Sequence, residues 1–320
     1  MKLFFQKTGL FLLMISMLLI LFTFLNHTFY EKEAERQDAY FTDFVTVLLI
    51  GDSHAECGVD PARFPEMLNR ASSAECLYYN RIKNRYYARK GKIRTSILSF
   101  HYFSLSKHWE EGVTGMLREE QMQKYAHFYF RDPAKADWQT CFHSPYEYGK
   151  YTLLSRIHLP TKQSLNQGVM AMLGTSSDIA SFGGYTPSHV FNIGNPDLCQ
   201  SKLDETIFRG QSNPDQYHLD AHLSQLMNTC LTEIIQDNQK NGIETILLNL
   251  PCHPDFNSRI PDVLKHHIDS IALSFEPDHC RYLNLYDYPL PDSCFRDYDH
   301  LNARGAEIIT PIIRNFVLRK

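Results

Sequence analysis

Short apolar runs and longer amphipathic runs alternate along most of this chain, and the first short run is Val45–Ile50. Its six residues, Val-Thr-Val-Leu-Leu-Ile, are apolar or β-branched, and a glycine follows them. A short apolar run that ends at a glycine is typical of a strand buried on both faces, as the strands of parallel sheets are. The sequence therefore predicts a core strand here, with Gly51-Asp52-Ser53-His54 as the turn at its carboxyl end.

Further strands and helices are predicted from hydrophobic spacing and from the residues that cap helices. In Leu219–Lys240, apolar residues recur every three or four positions, which indicates an amphipathic helix. Ser72 and Glu75 form a capping-box pattern, with Gly91 as the C-terminal cap of the same predicted helix. The other predicted elements are strands near Glu66–Ala71 and over Ile93–Tyr102, Ile243–Leu250 and Tyr282–Leu285, and helices over Arg259–Phe275 and Ala303–Leu318, the last with Pro311 inside it. Alternating strands and helices indicate a parallel α/β sheet with helices on both faces.

The middle of the chain does not follow this alternation. Residues 104–215 are rich in aromatic side chains, and we predict helices around Gly115–Phe128, Tyr148–Ile157 and Lys162–Leu173. So long a segment between two core strands is interpreted as a helical insertion that forms a cap or lid, where substrate contacts are expected.

The N-terminus is patterned differently from the rest. Residues 9–25 are almost continuously apolar, long enough to cross a thin bilayer, and Lys2 and Lys7 precede them. The residues that follow, from Glu31 to Asp38, are mostly acidic. Positive charge on the leading side predicts a cytoplasmic N-terminus and an exported body. No small-residue cleavage site follows the apolar run, so an uncleaved signal anchor is favoured over a cleaved signal peptide.

The predicted organisation is therefore a cytoplasmic tail (residues 1–8), a transmembrane signal anchor (9–25), a polar neck (26–43) and one folded domain (44–320) that contains the insertion at about 104–215. We expect a single-pass protein of the cell membrane, held in the inner membrane by the anchor, with its folded domain extracytoplasmic, in the periplasm.

Composition narrows the range of functions. The 320 residues are enough for a sizeable core, and a net charge of −4 gives no basic signature for nucleic-acid binding. The eight cysteines show no metal-ligand spacing, so neither a metal site nor another cofactor is predicted. Some of them are candidates for disulfides if the body is exported, although the sequence assigns no pairs. The basic run Arg81–Arg94 is read mainly as the polar face of a helix, and docking to an anionic glycan or lipid is the alternative.

Ser53 is the candidate nucleophile, because a strand delivers it at the carboxyl edge of the predicted sheet. His300 is the candidate base, since its loop precedes the last helix and can return to the same edge. Asp297 stands three residues before His300, so that one turn lets its carboxylate orient the imidazole. Asp299 is the rival acid, and we prefer Asp297 because an acid one residue before the histidine has poorer geometry.

Gly51-Asp52-Ser53-His54 near the start of the domain, together with Asp297-x-x-His300 near its end, resembles the SGNH (GDSL-type) hydrolase superfamily. The residues of the two motifs are most similar to those of membrane-anchored, exported branches of the superfamily, such as the SGNH-like domains of bacterial polysaccharide O-acetyltransferases. They are more distantly similar to those of the D-alanine transfer protein of teichoic acid synthesis. The resemblance covers residues 44–102 and 243–318, and it implies a three-layer, flavodoxin-like parallel sheet.

Two departures from the superfamily concern the oxyanion hole. The second block, which carries a glycine in the family, matches Ala71-Ser72-Ser73, so that the backbone N–H of Ser73 would have to serve. The third block, Gly-x-Asn-Asp in the family, is absent, and His101 stands in the matching region. The expected oxyanion donors are therefore the backbone N–H groups of Ser53 and Ser73 and the side chain of His101.

The sequence thus predicts a serine esterase or O-acyltransferase that acts on acyl, mainly acetyl, esters of a cell-envelope polysaccharide or another acylated glycan. An acyl-donor membrane protein is a possible partner. Asp52, His54 and His253 are predicted to lie next to the site, with local structural roles preferred for each. The alternative function is a catalytically degenerate SGNH-like protein that binds glycan or assists envelope assembly.

Overall fold

The computed structural model describes residues 1–39, 44–89, 92–115, 118, 121, 144–147, 149, 184–191, 193, 194, 196–208 and 218–319. The chain divides into two compact units. One unit comprises Met1–Tyr40 and Met122–Ile179, and the other comprises Phe41–Gln121 and Ala180–Lys320. The helices predicted over Tyr148–Ile157 and Lys162–Leu173 lie outside the described residues, apart from Gly149.

In the first unit, helix α1 runs over Lys2–Ala39. Its segment Phe4–Leu25 is 22 residues long and apolar enough to cross a membrane, a property that signal sequences near an N-terminus share. The helix continues without a break through most of the predicted neck.

The second unit contains a five-stranded sheet in which every pair of neighbouring strands is parallel. The strands are β1 Val47–Ile50, β2 Met67–Asn69, β3 Thr95–Ser99, β4 Glu244–Asn249 and β5 Cys280–Asn284, in the spatial order β2-β1-β3-β4-β5. This is the flavodoxin-like order, so the predicted fold class is confirmed. The chain leaves β1 toward one neighbour and later returns beside it on the other side, which places the topological switch point at the carboxyl end of β1.

Helices cover both faces of the sheet. After α1 they are α2 Ser53–Gly58, α3 Leu77–Ala88, α4 Glu111–Thr114, α5 Pro196–Thr206, α6 Leu219–His222, α7 Gln225–Lys240, α8 Pro254–Asn257, α9 Asp262–Leu273 and α10 Ala303–Leu318. Short 3-10 helices in the described part of the chain occupy Pro61–Arg63, Lys107–Glu110 and Asp292–Cys294. On one face, Val47 and Leu49 share a buried cluster with Ile309 and Ile313 of α10. The terminal helix has the predicted bounds and keeps Pro311 within it.

The other face of the sheet carries a buried polar chain between the strands and helices α3 and α7. The Ser96 hydroxyl donates to the Asn84 side-chain oxygen (2.9 Å), the Asn84 amide donates to Asn238 (2.7 Å), and the Asn238 amide donates to Thr245 (3.0 Å). Each member satisfies its neighbour, so these polar groups are buried without an unpaired-group penalty.

The predicted start of α3 is wrong. Cys76, not Ser72, occupies the N-cap position, and the helix begins at Leu77. Glu75 forms a fully buried ion pair with Lys83 instead of a capping box (2.5 Å). The predicted helix over Leu219–Lys240 is also two helices, because Ser224 caps α7 by accepting a hydrogen bond from the Met227 N–H.

The first three cations of the basic run Arg81–Arg94 are paired within the fold. Arg81 pairs with Glu233 of α7 (2.5 Å), and Arg85 pairs with Asp237 of the same helix (2.5 Å). Three of the cations in this run, counting Lys83, therefore hold α3 in place. This packing favours a structural role for them over docking to an anionic ligand.

Candidate active site

The candidate nucleophile stands at the topological switch point. After β1, Gly51 adopts a φ of +152° and packs directly against Ser99 of the neighbouring strand, where a Cβ would overlap the Ser99 side chain. Asp52 then caps α2, because its carboxylate accepts a hydrogen bond from the His54 N–H (3.2 Å). Ser53 is consequently the first residue of α2, where its own N–H has no acceptor within the helix.

The loop before α10 is fixed by several hydrogen bonds before it presents its histidine. Asn302 caps α10 by accepting from the N–H groups of Arg304 (3.0 Å) and Gly305 (3.1 Å), and its amide donates to the carbonyls of Ser293 and Phe295. In the same loop, the Arg296 N–H donates to the His300 carbonyl (2.9 Å). The backbone that carries His300 is therefore held at both ends.

The structure brings Ser53, His300 and Asp297 together. His300 Nε2 lies 2.7 Å from Ser53 Oγ, and its Nδ1 lies 2.8 Å from Asp297 Oδ1. The same aspartate oxygen accepts a hydrogen bond from the His300 backbone N–H (2.9 Å). This geometry lets the ring hold a proton on Nδ1 and present the Nε2 lone pair to the serine hydroxyl.

A second carboxylate reaches the same imidazole nitrogen. Asp299 Oδ1 lies 3.1 Å from His300 Nδ1, and the Asp299 side chain is only 3% exposed, whereas that of Asp297 is 31% exposed. Asp299 is therefore within reach of the ring as well as Asp297, because the bend of the loop turns both carboxylates toward one nitrogen. In the sequence, only the position of Asp299 next to His300 pointed to this contact, and sequence spacing alone does not reveal the bend of the loop.

Lys202 of α5 completes the surroundings of Asp299. Its ammonium lies 3.3 Å from Asp299 Oδ2. Burial disfavours the charged Asp299 carboxylate, but the charge and hydrogen bond of His300 and the charge of Lys202 outweigh it and hold the Asp299 pKa well below its ordinary value. No sequence signal pointed to Lys202, since it belongs to the segment that lacked a readable pattern.

The protonation of His300 is set by opposing effects. Burial disfavours the imidazolium, but the charge of Asp299 and the hydrogen bonds of Asp297 and Asp299 favour it, and together they raise the His300 pKa to about 10. A carboxylate-bound imidazole of this kind is a strong base, and its neutral form becomes more populated as the pH rises.

Asp52, His54 and His101 form a second buried cluster beside these residues. Asp52 Oδ2 lies 2.5 Å from His101 Nε2 and 3.2 Å from His54 Nδ1, and the Ser99 hydroxyl donates to Asp52 Oδ1 (3.2 Å). The His54 ring stacks on that of His300, with 4.7 Å between their centroids and 27° between their planes. Asp52 and His54 therefore lie next to the candidate site, in contact with neighbouring loops as well as their own turn.

The residues expected to bind an oxyanion differ in burial and in the hydrogen bonds that they already make. His101 is buried, and its Nε2 is already engaged by Asp52. Its Nδ1 has no hydrogen-bond partner among the described residues. Ser73 is exposed, and its hydroxyl donates to Glu56, so only its backbone N–H is a candidate donor.

His253 has contacts of its own. It caps α8 by accepting from the Asp255 N–H (3.3 Å), its Nε2 lies 3.3 Å from Asp292 Oδ1, and its ring packs edge-on against Phe295 and Tyr298. Within the described residues, these contacts do not include Ser53 or His300. They indicate a role in shaping the loops around the site.

Two sets of three side chains place potential metal-ligand atoms within 4.8 Å of one another: Asp52, His54 and His101, and His54, Asp299 and His300. In both sets the carboxylate also contacts side-chain nitrogens: Asp52 contacts His54 and His101, and Asp299 contacts His300 and Lys202. Among the described residues, Cys57, Cys76, Cys199, Cys252, Cys280 and Cys294 are free thiols and buried, and Cys141 lies outside the described residues.

An extended strap over residues 184–191 borders the site. Its backbone is tied down where the Gly184 N–H donates to the Ala71 carbonyl (2.9 Å) and where the Ala303 N–H donates to the Ser188 carbonyl (2.8 Å). Beside the strap lies a cleft of about 420 Å³, lined by Thr186, Pro187, Ser188, Val190, Arg296 and Asp297. The cleft reaches the carboxylate that holds His300.

Comparison with known proteins gives structural neighbours only. No protein-family profile matches the chain, and no curated protein sequence matches it. Among solved structures, a GDSL-like lipase from Bacteroides thetaiotaomicron has 10% identity and a TM-score of 0.40, over 90% of this chain and 96% of the lipase. A predicted acylhydrolase from Bacteroides fragilis has 10% identity and a TM-score of 0.38, over 86% of this chain and 88% of its own.

Proposed function

We propose that this protein is an SGNH-type acyl-transfer enzyme in which Ser53 is the nucleophile, His300 the general base, and Asp297 the acid that orients it, with Asp299 as a second carboxylate on the same nitrogen. The observation that carries the proposal is the 2.7 Å contact between Ser53 Oγ and His300 Nε2, continued at Nδ1 by the two carboxylates. A serine, an imidazole and an acid in this order are the elements of nucleophilic acyl transfer.

The reaction proceeds in two halves. Ser53 Oγ attacks the ester carbonyl carbon while His300 Nε2 takes the hydroxyl proton, and the resulting imidazolium is stabilised by Asp297 and Asp299. The tetrahedral intermediate collapses, and the departing alcohol takes the proton from Nε2, which leaves an acyl group on Ser53. A water molecule or a sugar hydroxyl then loses its proton to Nε2 and attacks the acyl-serine, which releases an acid or a new ester.

The oxyanion donors proposed for this reaction are the backbone N–H groups of Ser53 and Ser73. The Ser53 N–H is suited because it begins α2 and needs an acceptor from outside the helix. We do not assign the His101 side chain to this role, since Asp52 holds its Nε2.

For the substrate, we propose an acyl ester, chiefly an acetyl ester, of a cell-envelope polysaccharide or another acylated glycan. The support is the similarity of the two motifs to exported, membrane-anchored SGNH branches, together with the apolar helix segment Phe4–Leu25. In this arrangement the N-terminus is cytoplasmic and residues 44–320 act outside the cytoplasm. Alkaline phosphatase fused after residue 320 should be active in cells, and an inactive fusion that is stable and full-length would refute this orientation.

The catalytic assignment is tested with full-length protein in detergent. A fluorophosphonate probe should label the protein, and p-nitrophenyl acetate should be hydrolysed. Ser53→Ala should abolish both reactions, whereas the control Ser293→Ala, in the loop before α10, should retain them. Undiminished labelling of the Ser53→Ala variant would show that the nucleophile is a different residue.

The degenerate, glycan-binding alternative predicts a folded protein that neither labels nor turns over esters. It also predicts that Ser53→Ala leaves glycan binding unchanged. The contact between Ser53 and His300 favours the enzyme, because a site without catalytic use has no need for a base at hydrogen-bond distance from a serine.

A further inference from the structure

His54 lies between two buried carboxylates. Its Nδ1 is 3.2 Å from Asp52 Oδ2, and its Nε2 is 3.8 Å from Asp299 Oδ2, an ion-pair distance. All three side chains are at most 5% exposed. Both ring nitrogens therefore face negative oxygens, and only the imidazolium form carries a proton on each nitrogen. The geometry itself favours a positively charged His54.

The other groups around His54 are consistent with that charge. The ring of His101, from the loop after β3, also packs on that of His54, with 4.5 Å between their centroids. Burial lowers the His101 pKa below 6.5, Asp52 partly opposes this, and the charge of His54 adds to the lowering. Cys252, from the loop after β4, donates to the Asp299 carbonyl (3.6 Å). Burial disfavours a charged His54, but the charge and hydrogen bond of Asp52 outweigh it and raise the His54 pKa, while the charge of His300 opposes that rise. His54 is thus the cation of its own cluster.

That cation stacks on the base of the proposed reaction. The rings of His54 and His300 lie 4.7 Å apart, in a buried environment where charges interact more strongly than in water. A proton on His300 Nε2 places a second positive charge beside the first, so His54 opposes it. Asp297 and Asp299 favour the same proton, and Lys202 weakens the effect of Asp299 by pairing with it.

We propose that His54, anchored by Asp52, is a positioning residue that acts through His300: its positive charge opposes protonation of His300 and keeps the neutral, base form available at lower pH. The inference rests on the proposed role of Ser53 and His300. It explains why two histidines and a further aspartate are buried beside a triad that does not use them chemically.

The test is the pH dependence of fluorophosphonate labelling of full-length protein in detergent, from about pH 6 to about pH 12, a range that contains the His300 pKa of about 10 and the upward shift expected on it. In His54→Gln, the midpoint of the acid limb should move upward by about one to two pH units, because the repelling charge is gone. Below that limb, labelling should be at least about tenfold slower than in the wild type. A merely structural role would lower the rate at every pH and leave the midpoint in place.

Two further variants sharpen the result. Asp52→Asn removes the carboxylate that stabilises the positive charge on His54, so it should also move the acid limb of the pH profile upward. The His54→Gln/Asp52→Asn double variant should move the limb little further than either single variant. His222→Gln is the matched control, since His222 is a buried histidine of α6 whose pKa is lowered, chiefly by burial, to about 4. It should leave the limb at its wild-type position.

A second measurement tests the inference even if these variants do not fold. In ¹⁵N-histidine-labelled Ser53→Ala protein, the ring that shows proton contacts with His300 should carry protons on both nitrogens at neutral pH. A neutral ring there, or an unmoved limb in folded His54→Gln, overturns the inference. The absence of Ser53-dependent labelling in the wild type would instead overturn the proposed function.

Discussion

The two carboxylates at His300 Nδ1 differ in burial, so we predict that removing each one lowers the rate by a different amount. Asp299 Oδ1 is 3.1 Å from the nitrogen and almost fully buried, whereas Asp297 Oδ1 is 2.8 Å away on a side chain that is 31% exposed. Unit charges about 4 Å apart interact by roughly 4 kcal/mol at an effective dielectric constant near 20, but by only about 1 kcal/mol in water. The buried Asp299 should therefore stabilise the imidazolium of the transition state more than the solvent-screened Asp297.

We expect Asp299→Asn to lower the rate of ester hydrolysis on the high-pH plateau by about 30- to 1000-fold, and Asp297→Asn by about tenfold. The plateau is the right place to compare them, since His300 is neutral there and the loss appears fully in the transition state. The double variant should fall by about 10⁴-fold, because no acid then selects the Nδ1-protonated tautomer.

The assay is p-nitrophenyl acetate turnover as a function of pH, with thermal unfolding as the check that each variant folds. Asp299→Asn should also move the acid limb to lower pH, since the charge that raises the His300 pKa is removed. A larger loss for Asp297→Asn than for Asp299→Asn, with no shift of the limb in Asp299→Asn, would refute the argument from burial.

Three further predictions concern stability, each measured by urea unfolding. Lys83→Met should lower the free energy of unfolding by about 3–5 kcal/mol, because it leaves the buried Glu75 carboxylate unpaired. Adding Glu75→Gln should recover most of that loss, and equal losses in the single and double variants would contradict this. The folded protein raises the His300 pKa from 6.5 to about 10, so the wild type should be more stable than His300→Asn at low pH. This extra stability should be full below pH 6.5 and should vanish as the pH rises through about 10. Extra stability that grows over this range would contradict the prediction. Gly51→Ala should cost at least about 2 kcal/mol because of its positive φ and its overlap with β3, whereas the control Gly112→Ala, which meets only one side-chain atom at 3.9 Å, should stay within about 1 kcal/mol.

Periodicity located most of the core elements, and the errors have physical causes. The strand over Ile243–Leu250 and the helix over Ala303–Leu318 were close to the observed β4 and α10, since their burial follows from local apolar patterns. The start of α3 was misplaced because Glu75 fits a capping box locally, yet a buried lysine seven residues into the helix binds it more strongly. Capping and ion pairing compete for the same carboxylate, and only the packed structure decides between them.

The sequence by itself determined that Ser53 follows a buried strand and that Asp297 and His300 stand together in the last loop, because these are matters of local order along the chain. Tertiary structure decided what surrounds them. The bend that turns Asp299 toward the imidazole depends on how its loop packs. The approach of the Lys202 ammonium and the stacking of His54 on His300 depend on which elements meet at the carboxyl edge of the sheet. The stacking of His54 on His300 joins residues 246 positions apart, and its energy comes from burial, which no local pattern encodes.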